Sequence, residues 1–410
     1  MISLLGISFY FFEKKFISSL FLKCLFYFYF FISVLNIATS YYELGQFYLD
    51  YEELESFLQM IALLLFSIFS AALIIASFKP KRINSLNMIM QIRLRLNTFT
   101  KSISRYILAI NFIGLFFTII GVGISNFIIG HAYLNADLPL LRAIGLNLLF
   151  IGSLASILLF YFDNTKLNKI FVHGIFIFGL LVFFSLDSRR AVIISALYIA
   201  VFLFKKNSSF RTLKILFIFA VGIILNSFII DFRYSNEVGV INLINFLGQE
   251  SAALEIDNLI NSINNITKGG YVFIQMSNSS NFLTSDLIDA LNPLPSMFTN
   301  WMERSPFLNI GNHMPYNMLG ELYFYSPYVF YLYFVGLCLI IFNIEYSYKI
   351  SFFGKLTNIK KLLTFSLIFA LFIMFIIYSQ QYNLRACNRY IYYIIFIFLI
   401  SKIKFFSIKR

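Results

Sequence analysis

The 35 residues from Ile170 to Phe204, IFVHGIFIFGLLVFFSLDSRRAVIISALYIAVFLF, are apolar on both sides of one charged tetrapeptide, Asp187-Ser188-Arg189-Arg190, with Lys169 before them and Lys205 after. Two helices that each cross a ~30 Å hydrocarbon core need ~20 residues apiece. The hairpin barely reaches across and back, so its charged turn belongs at headgroup depth. Arginines held there are functional candidates by default, because charge in or near the hydrocarbon is costly.

The rest of the chain repeats the pattern of long apolar runs between short charged connectors. It has 410 residues, 60% of them hydrophobic and 20% aromatic, with mean hydropathy +0.80. A soluble domain carries ~45–50% apolar residues, so the expected class is an all-α polytopic membrane protein. Cys24, Cys338 and Cys387 are odd in number and far apart, which indicates neither a disulfide framework nor a metal cluster. The net charge of +13 is spread over the connectors rather than gathered on one basic face, which argues against nucleic acid as a partner.

About ten spans are expected in one integral membrane domain over residues 1–410. Phe16–Ala38 is too long for a signal-peptide core and reads as a retained first helix. Ser56–Phe78, Tyr106–Ile129 and Leu141–Phe162 follow, then the two halves of the opening hairpin, then Ile215–Ile230. A long non-spanning segment occupies residues 233–316, an eighth span runs from Met318 to Phe342, and Leu362–Ser401 forms a second short hairpin of two spans. The turn of that hairpin, Gln380 to Arg385, is pulled to the membrane surface for the same reason of length.

Ten spans put both termini on one side. That side carries 24 Lys and Arg against 3 Asp and Glu, and the other carries 8 against 16, together the 32 and 19 of the whole chain. The positive-inside rule makes the first side cytoplasmic and the long loop external. Within the loop, apolar residues recur at spacings of three and four between Val240 and Ile266, which predicts an amphipathic helix on the membrane surface or over a cavity. Gly269-Gly270 is expected to end that helix, and Phe282–Leu291 to form a second short one.

The eight external bases are Arg142, Arg189, Arg190, Arg233, Lys268, Arg304, Arg385 and Arg389. Seven are arginine, whose planar fork of donors suits phosphate oxygens, whereas the cytoplasmic connectors favour lysine. Arg385 and Arg389 share a helix face at i, i+4. Two readings stay open: headgroup snorkelling and pairing with Asp187 or Asp231, or a pocket for the phosphates of a lipid-linked substrate. His313, with Glu321 eight residues on, is either a proton acceptor for a sugar hydroxyl or a headgroup-level histidine. His131 and His173 read as a loop residue and a packed polar residue. No phosphate-loop pattern, metal-spaced histidine pair or nucleophile elbow is present.

The layout resembles the bacterial O-antigen polymerases, oligosaccharide repeat-unit polymerases of the inner membrane. The resemblance lies in the hydropathy profile with its late external loop, in Leu186-Asp187-Ser188-Arg189-Arg190-Ala191, and in the run from Asn309 to Glu321 with its His313, Asn317 and Glu321 at spacings of four. Some members carry glycine eleven residues after an external arginine; no external arginine does so here. The resemblance implies a metal-independent, cofactor-free type C glycosyltransferase, multi-pass in the inner membrane, acting on undecaprenyl-pyrophosphate-linked oligosaccharide, with a chain-length regulator as a candidate partner. Arg189, Arg190, Arg233, Arg385 and Arg389 would then hold pyrophosphate, and Arg189, Arg190, His313 and Glu321 would be catalytic. Arg304, Tyr316 and Asn317 would contact sugar. A lipid-linked oligosaccharide flippase and an O-antigen ligase are the rival readings.

Overall fold

The computed structural model describes residues 19–44, 47–78, 100–130, 137–162, 166–186, 188, 190–206, 211–234, 238–248, 256–278, 282, 284–294, 299, 309–310, 314–353 and 359–402. The described chain is almost wholly helical. Among the described residues six helices are long and apolar enough to cross a membrane, and four shorter apolar helices accompany them. By contacts the chain divides into two compact units, Met1–Met90 with Asn264–Arg410, and Gln91–Ile263.

The first unit begins with α1 (Leu20–Tyr41) and α2 (Tyr51–Ser77). A capping box starts α2: Asp50 accepts from Glu53 N–H at 2.8 Å and Glu53 Oε2 accepts from Asp50 N–H at 3.1 Å. The N-terminus of α1 is capped from the far end of the sequence. Glu345 takes hydrogen bonds from Ser19 Oγ (2.5 Å) and from the N–H groups of Leu20 (2.7 Å) and Phe21 (3.3 Å), and Lys349 pairs with it at 2.7 Å. A carboxylate is favoured at a helix N-terminus, and the adjacent ammonium offsets the cost of burying it.

The second unit holds α3 (Thr100–Val122), α4 (Ile124–Ile128), α5 (Pro139–Phe162), α6 (Lys166–Ser185), α7 (Arg190–Lys206), α8 (Arg211–Tyr234) and α9 (Val240–Gly248). Its seam is an antiparallel pair, α3 on α5. A Cβ on Gly114 would meet Leu149 N at 2.6 Å, one on Gly121 would meet Arg142 N at 2.1 Å, and one on Gly145 would meet Thr118 N at 2.4 Å. Gly152 likewise faces Asn111 at 2.5 Å. Residue 111 faces 152, 114 faces 149, 118 faces 145 and 121 faces 142, so one register runs the length of the seam. Small residues let helices approach closely where lipid supplies no hydrophobic drive. Gly123, at φ +89°, turns the chain from α3 into α4 and so divides the expected third span in two.

In the opening hairpin α6 ends at Ser185 and α7 begins at Arg190. Ser188 N–H donates to Phe183 O and Ala191 N–H to Ser188 O, both at 2.9 Å. Asp187 and Arg189 lie outside the described residues.

Two expectations are corrected. Gly269-Gly270 does not end the helix expected over Val240–Ile266: α9 covers the front of that stretch, and α10 (Ile256–Asn278) runs straight through the two glycines. The glycines are interior because neighbours occupy the places of their side chains: a Cβ on Gly269 would meet Gln380 Oε1 at 2.3 Å, and one on Gly270 would meet Asn36 Oδ1 at 2.6 Å. The later part of α10, beyond the expected helix, is interior, with Val272, Phe273, Ile274 and Met276 buried.

The expected span Met318–Phe342 is likewise two helices, α12 (Met318–Tyr325) and α13 (Pro327–Phe353). Pro327 lacks an N–H and drives Ser326 into an extended conformation, φ −175° and ψ 134°. Between α10 and α12 lie α11 (Thr284–Leu291) and a small antiparallel pairing of β1 (Asn309–Ile310) with β2 (Met314–Pro315). The chain closes with the second short hairpin, α14 (Ile359–Tyr378) and α15 (Leu384–Lys402).

Candidate functional site

A group of buried polar side chains tied to one another lies in the first unit, where α12 meets the start of α15. Asn317 caps α12, its Oδ1 accepting from Gly320 N–H at 2.6 Å, while its Nδ2 donates to Gly269 O at 2.7 Å. Met318 N–H donates to Tyr382 O at 2.9 Å, and Leu384 N–H donates to Glu321 Oε2 at 3.0 Å. The α14–α15 turn is therefore sewn to α12 by one main-chain and one carboxylate bond.

Glu321 is fully buried, and its Oε1 has no hydrogen-bond partner among the described residues. Burial pushes the carboxyl from its ordinary 4.5 up to about 8; the Leu384 N–H opposes this, and the Asp286 carboxylate adds to it. A group in that range exchanges its proton near neutrality, which suits general acid or base chemistry.

The face of α15 next to this point caps a loop helix. Arg385 donates to Asp289 O, to Leu294 O at 2.6 Å and to Thr299 Oγ1 at 3.2 Å. Asn388 Nδ2 approaches Ala290 O at 3.5 Å, and Tyr392 Oη donates to Leu291 O. Three consecutive carbonyls that end α11 are thus met by side chains at i, i+3 and i+7 of α15. Tyr333 in turn donates to Asn388 Oδ1 and fixes that amide.

Of the site residues read from sequence, this arrangement brings together Tyr316, Asn317, Glu321 and Arg385. Tyr316 is buried, with its ring centroid 5.7 Å from that of Phe282. Both ends of the Asn317 amide are engaged by main chain, and Arg385 is 2% exposed against the loop carbonyls, whereas Arg389 is exposed. In the second unit Arg190 begins α7, half-buried, with its guanidinium carbon 5.7 Å from the Phe150 ring centroid. Its Nη1 has no hydrogen-bond partner among the described residues. Arg233 lies on the last turn of α8. Arg189, His313 and Arg304 lie outside the described residues, as does His131.

Sequence reasoning missed Asp286, Asn388, Tyr392 and the role of Gly269. The spacing of Arg385, Asn388 and Tyr392 at i, i+3 and i+7 was the available signal, since it puts three polar side chains on one helix face. Comparison with protein-family models, with curated proteins and with solved structures finds no match.

Proposed function

We propose that the chain is a membrane glycosyltransferase that polymerises lipid-linked repeat units of O-antigen or a related surface polysaccharide at the periplasmic face of a bacterial inner membrane. The observation that carries this reading is Glu321. It is a buried carboxyl with one open oxygen and a proton that exchanges near neutrality, set where the long loop rejoins the membrane helices. The six long and four shorter apolar helices among the described residues support a reading of ten crossings, in which the charge asymmetry favours an external loop.

In this reading Arg189, Arg190 and Arg233 hold the pyrophosphate of the donor chain and stabilise it as the leaving group. Fixed donors matched to developing charge are commonly the largest catalytic term. His313 or Glu321 orients or deprotonates the acceptor hydroxyl. Arg385, by closing the end of α11, ties the loop to α15 next to the Leu384 N–H that Glu321 accepts, and so limits access of water. The reaction needs no metal ion, because the guanidinium groups supply the positive charge.

A deletion strain decides among the readings. A polymerase deletion leaves a single repeat unit on the lipid A core. Unattached polymer on carrier lipid would mark a ligase instead, and lipid-linked units held on the inner leaflet would mark a flippase. Within the polymerase reading, Arg189→Lys keeps the charge and removes the fork, and is expected to shorten the polymer at normal protein levels. Wild-type chain lengths would remove the bidentate role.

A further inference from the structure

Gln380 and Glu321 are, with Asn264, buried polar groups of the first unit whose side chains keep atoms without a hydrogen-bond partner among the described residues. Gln380 is 3% exposed, and neither Oε1 nor Nε2 of its amide has a hydrogen-bond partner among the described residues. Its Oε1 lies against Gly269, where a Cβ would come within 2.3 Å, so the absent side chain is what admits the amide. Glu321 is the second. Its Oε2 accepts the Leu384 N–H, so in the neutral acid the O–H falls to Oε1, the open oxygen.

Both groups belong to one crossing. Gln380 stands in the α14–α15 turn against Gly269, and Glu321 stands one helical turn beyond Asn317, which donates to Gly269 O. Native interiors keep few unpaired donors and acceptors, and those they keep call for an explanation.

We propose that Gln380 and Glu321 form a subsite for two neighbouring hydroxyls of an uncharged sugar residue. The proposal rests on the glycosyltransferase reading and deepens it by naming what is recognised on the acceptor. The inventory of groups selects the ligand. Gln380 offers two N–H donors and a carbonyl, and Glu321 offers an O–H and a lone pair. A hydroxyl both donates and accepts, so a diol pairs with every one of these. Phosphate presents almost only acceptors and would set oxygen against Gln380 Oε1. An apolar ligand would leave all of them unpaired.

The test uses the purified full-length protein and dicyclohexylcarbodiimide, which attacks protonated buried carboxyl groups. Modification of Glu321, read by mass spectrometry, should be slowed roughly tenfold, the scale of one to two buried hydrogen bonds, by at least one of a panel of methyl glycosides. The panel comprises neutral hexoses, deoxyhexoses and N-acetylhexosamines. Inorganic pyrophosphate should not protect. Gln380→Leu should keep the modification and lose the protection, with Gln380→Met as the second variant if the leucine form does not accumulate.

No reaction at Glu321 in the free protein, no protection by any glycoside, equal protection by pyrophosphate, or undiminished protection in the Gln380 variant overturns the subsite. The deletion phenotype is read separately. A polymerase phenotype with failed protection keeps the function and removes the subsite, and protection with a ligase or flippase phenotype does the reverse.

Discussion

Glycine brings elements together in both units, but what it admits differs. Along the α3–α5 seam, Gly114, Gly121 and Gly145 face the main chain of the partner helix. At the crossing of α10, Gly269 and Gly270 face the ends of two polar side chains, Gln380 and Asn36. A main-chain neighbour cannot yield without moving a helix, whereas an amide on a flexible stem can swing aside. The seam is therefore a place of rigid packing, and the crossing is a place where polar side chains are buried inside an apolar bundle.

The seam should break hardest. In Gly121→Val the new Cβ would stand 2.1 Å from Arg142 N and 2.6 Å from Arg142 Cα. Overpacking of this kind is expected to cost about 3 kcal/mol or more. The variant should fall in membrane level and melt early in detergent; an unchanged melt would show the antiparallel register to be wrong.

The crossing should instead reveal itself through pH. Because the Glu321 carboxyl is raised from 4.5 to about 8 in the folded protein, the unfolded chain loses its proton first. Its contribution is fully present below the unfolded value and is lost as pH rises through the folded one, a change on the order of a few kcal/mol. Glu321→Gln keeps the shape and cannot ionise, so its melting temperature should fall less between about pH 5 and 9 than that of the parent. Parallel curves would mean that the carboxyl is not held neutral.

Gly269→Ala should have the smallest effect. Alanine in place of an interior helical glycine gains roughly 1 kcal/mol, which offsets part of the strain of displacing the Gln380 amide. Adding Gln380→Ala should recover what remains, giving a coupling of about 0.5–1 kcal/mol in a double-mutant cycle. Strict additivity would show that the two positions do not touch.

Much of the helical framework was legible from length and hydropathy. The helices of both short hairpins fall where hydropathy puts them, with Ser185 ending α6 and Arg190 beginning α7, and Tyr378 ending α14 and Leu384 beginning α15. What misled was local chemistry read without its neighbours. Gly269-Gly270 looks like a helix end because glycine is a poor helix former, yet side chains more than a hundred residues away hold its place inside α10. Pro327 was read through because the apolar run continues across it, although proline removes a donor and bends its predecessor. Arg385 was read as an anion receptor from its charge and position. Only the fold shows Asp289, Leu294 and Thr299 converging on it, and no spacing in the chain announces that convergence.

The cap on α1 bears on how the chain is made. Ser19 and Glu345 are 326 residues apart. At a synthesis rate of ~5–20 residues per second, the carboxylate follows the helix it caps by roughly 15–65 s. Through that interval the leading turn of α1 must find other acceptors, from water, headgroups or the insertion machinery. Lys349 arrives four residues after Glu345, so the acid and the base that neutralises it reach the bundle together. The earliest described helix to enter the membrane is thus among the last to be finished.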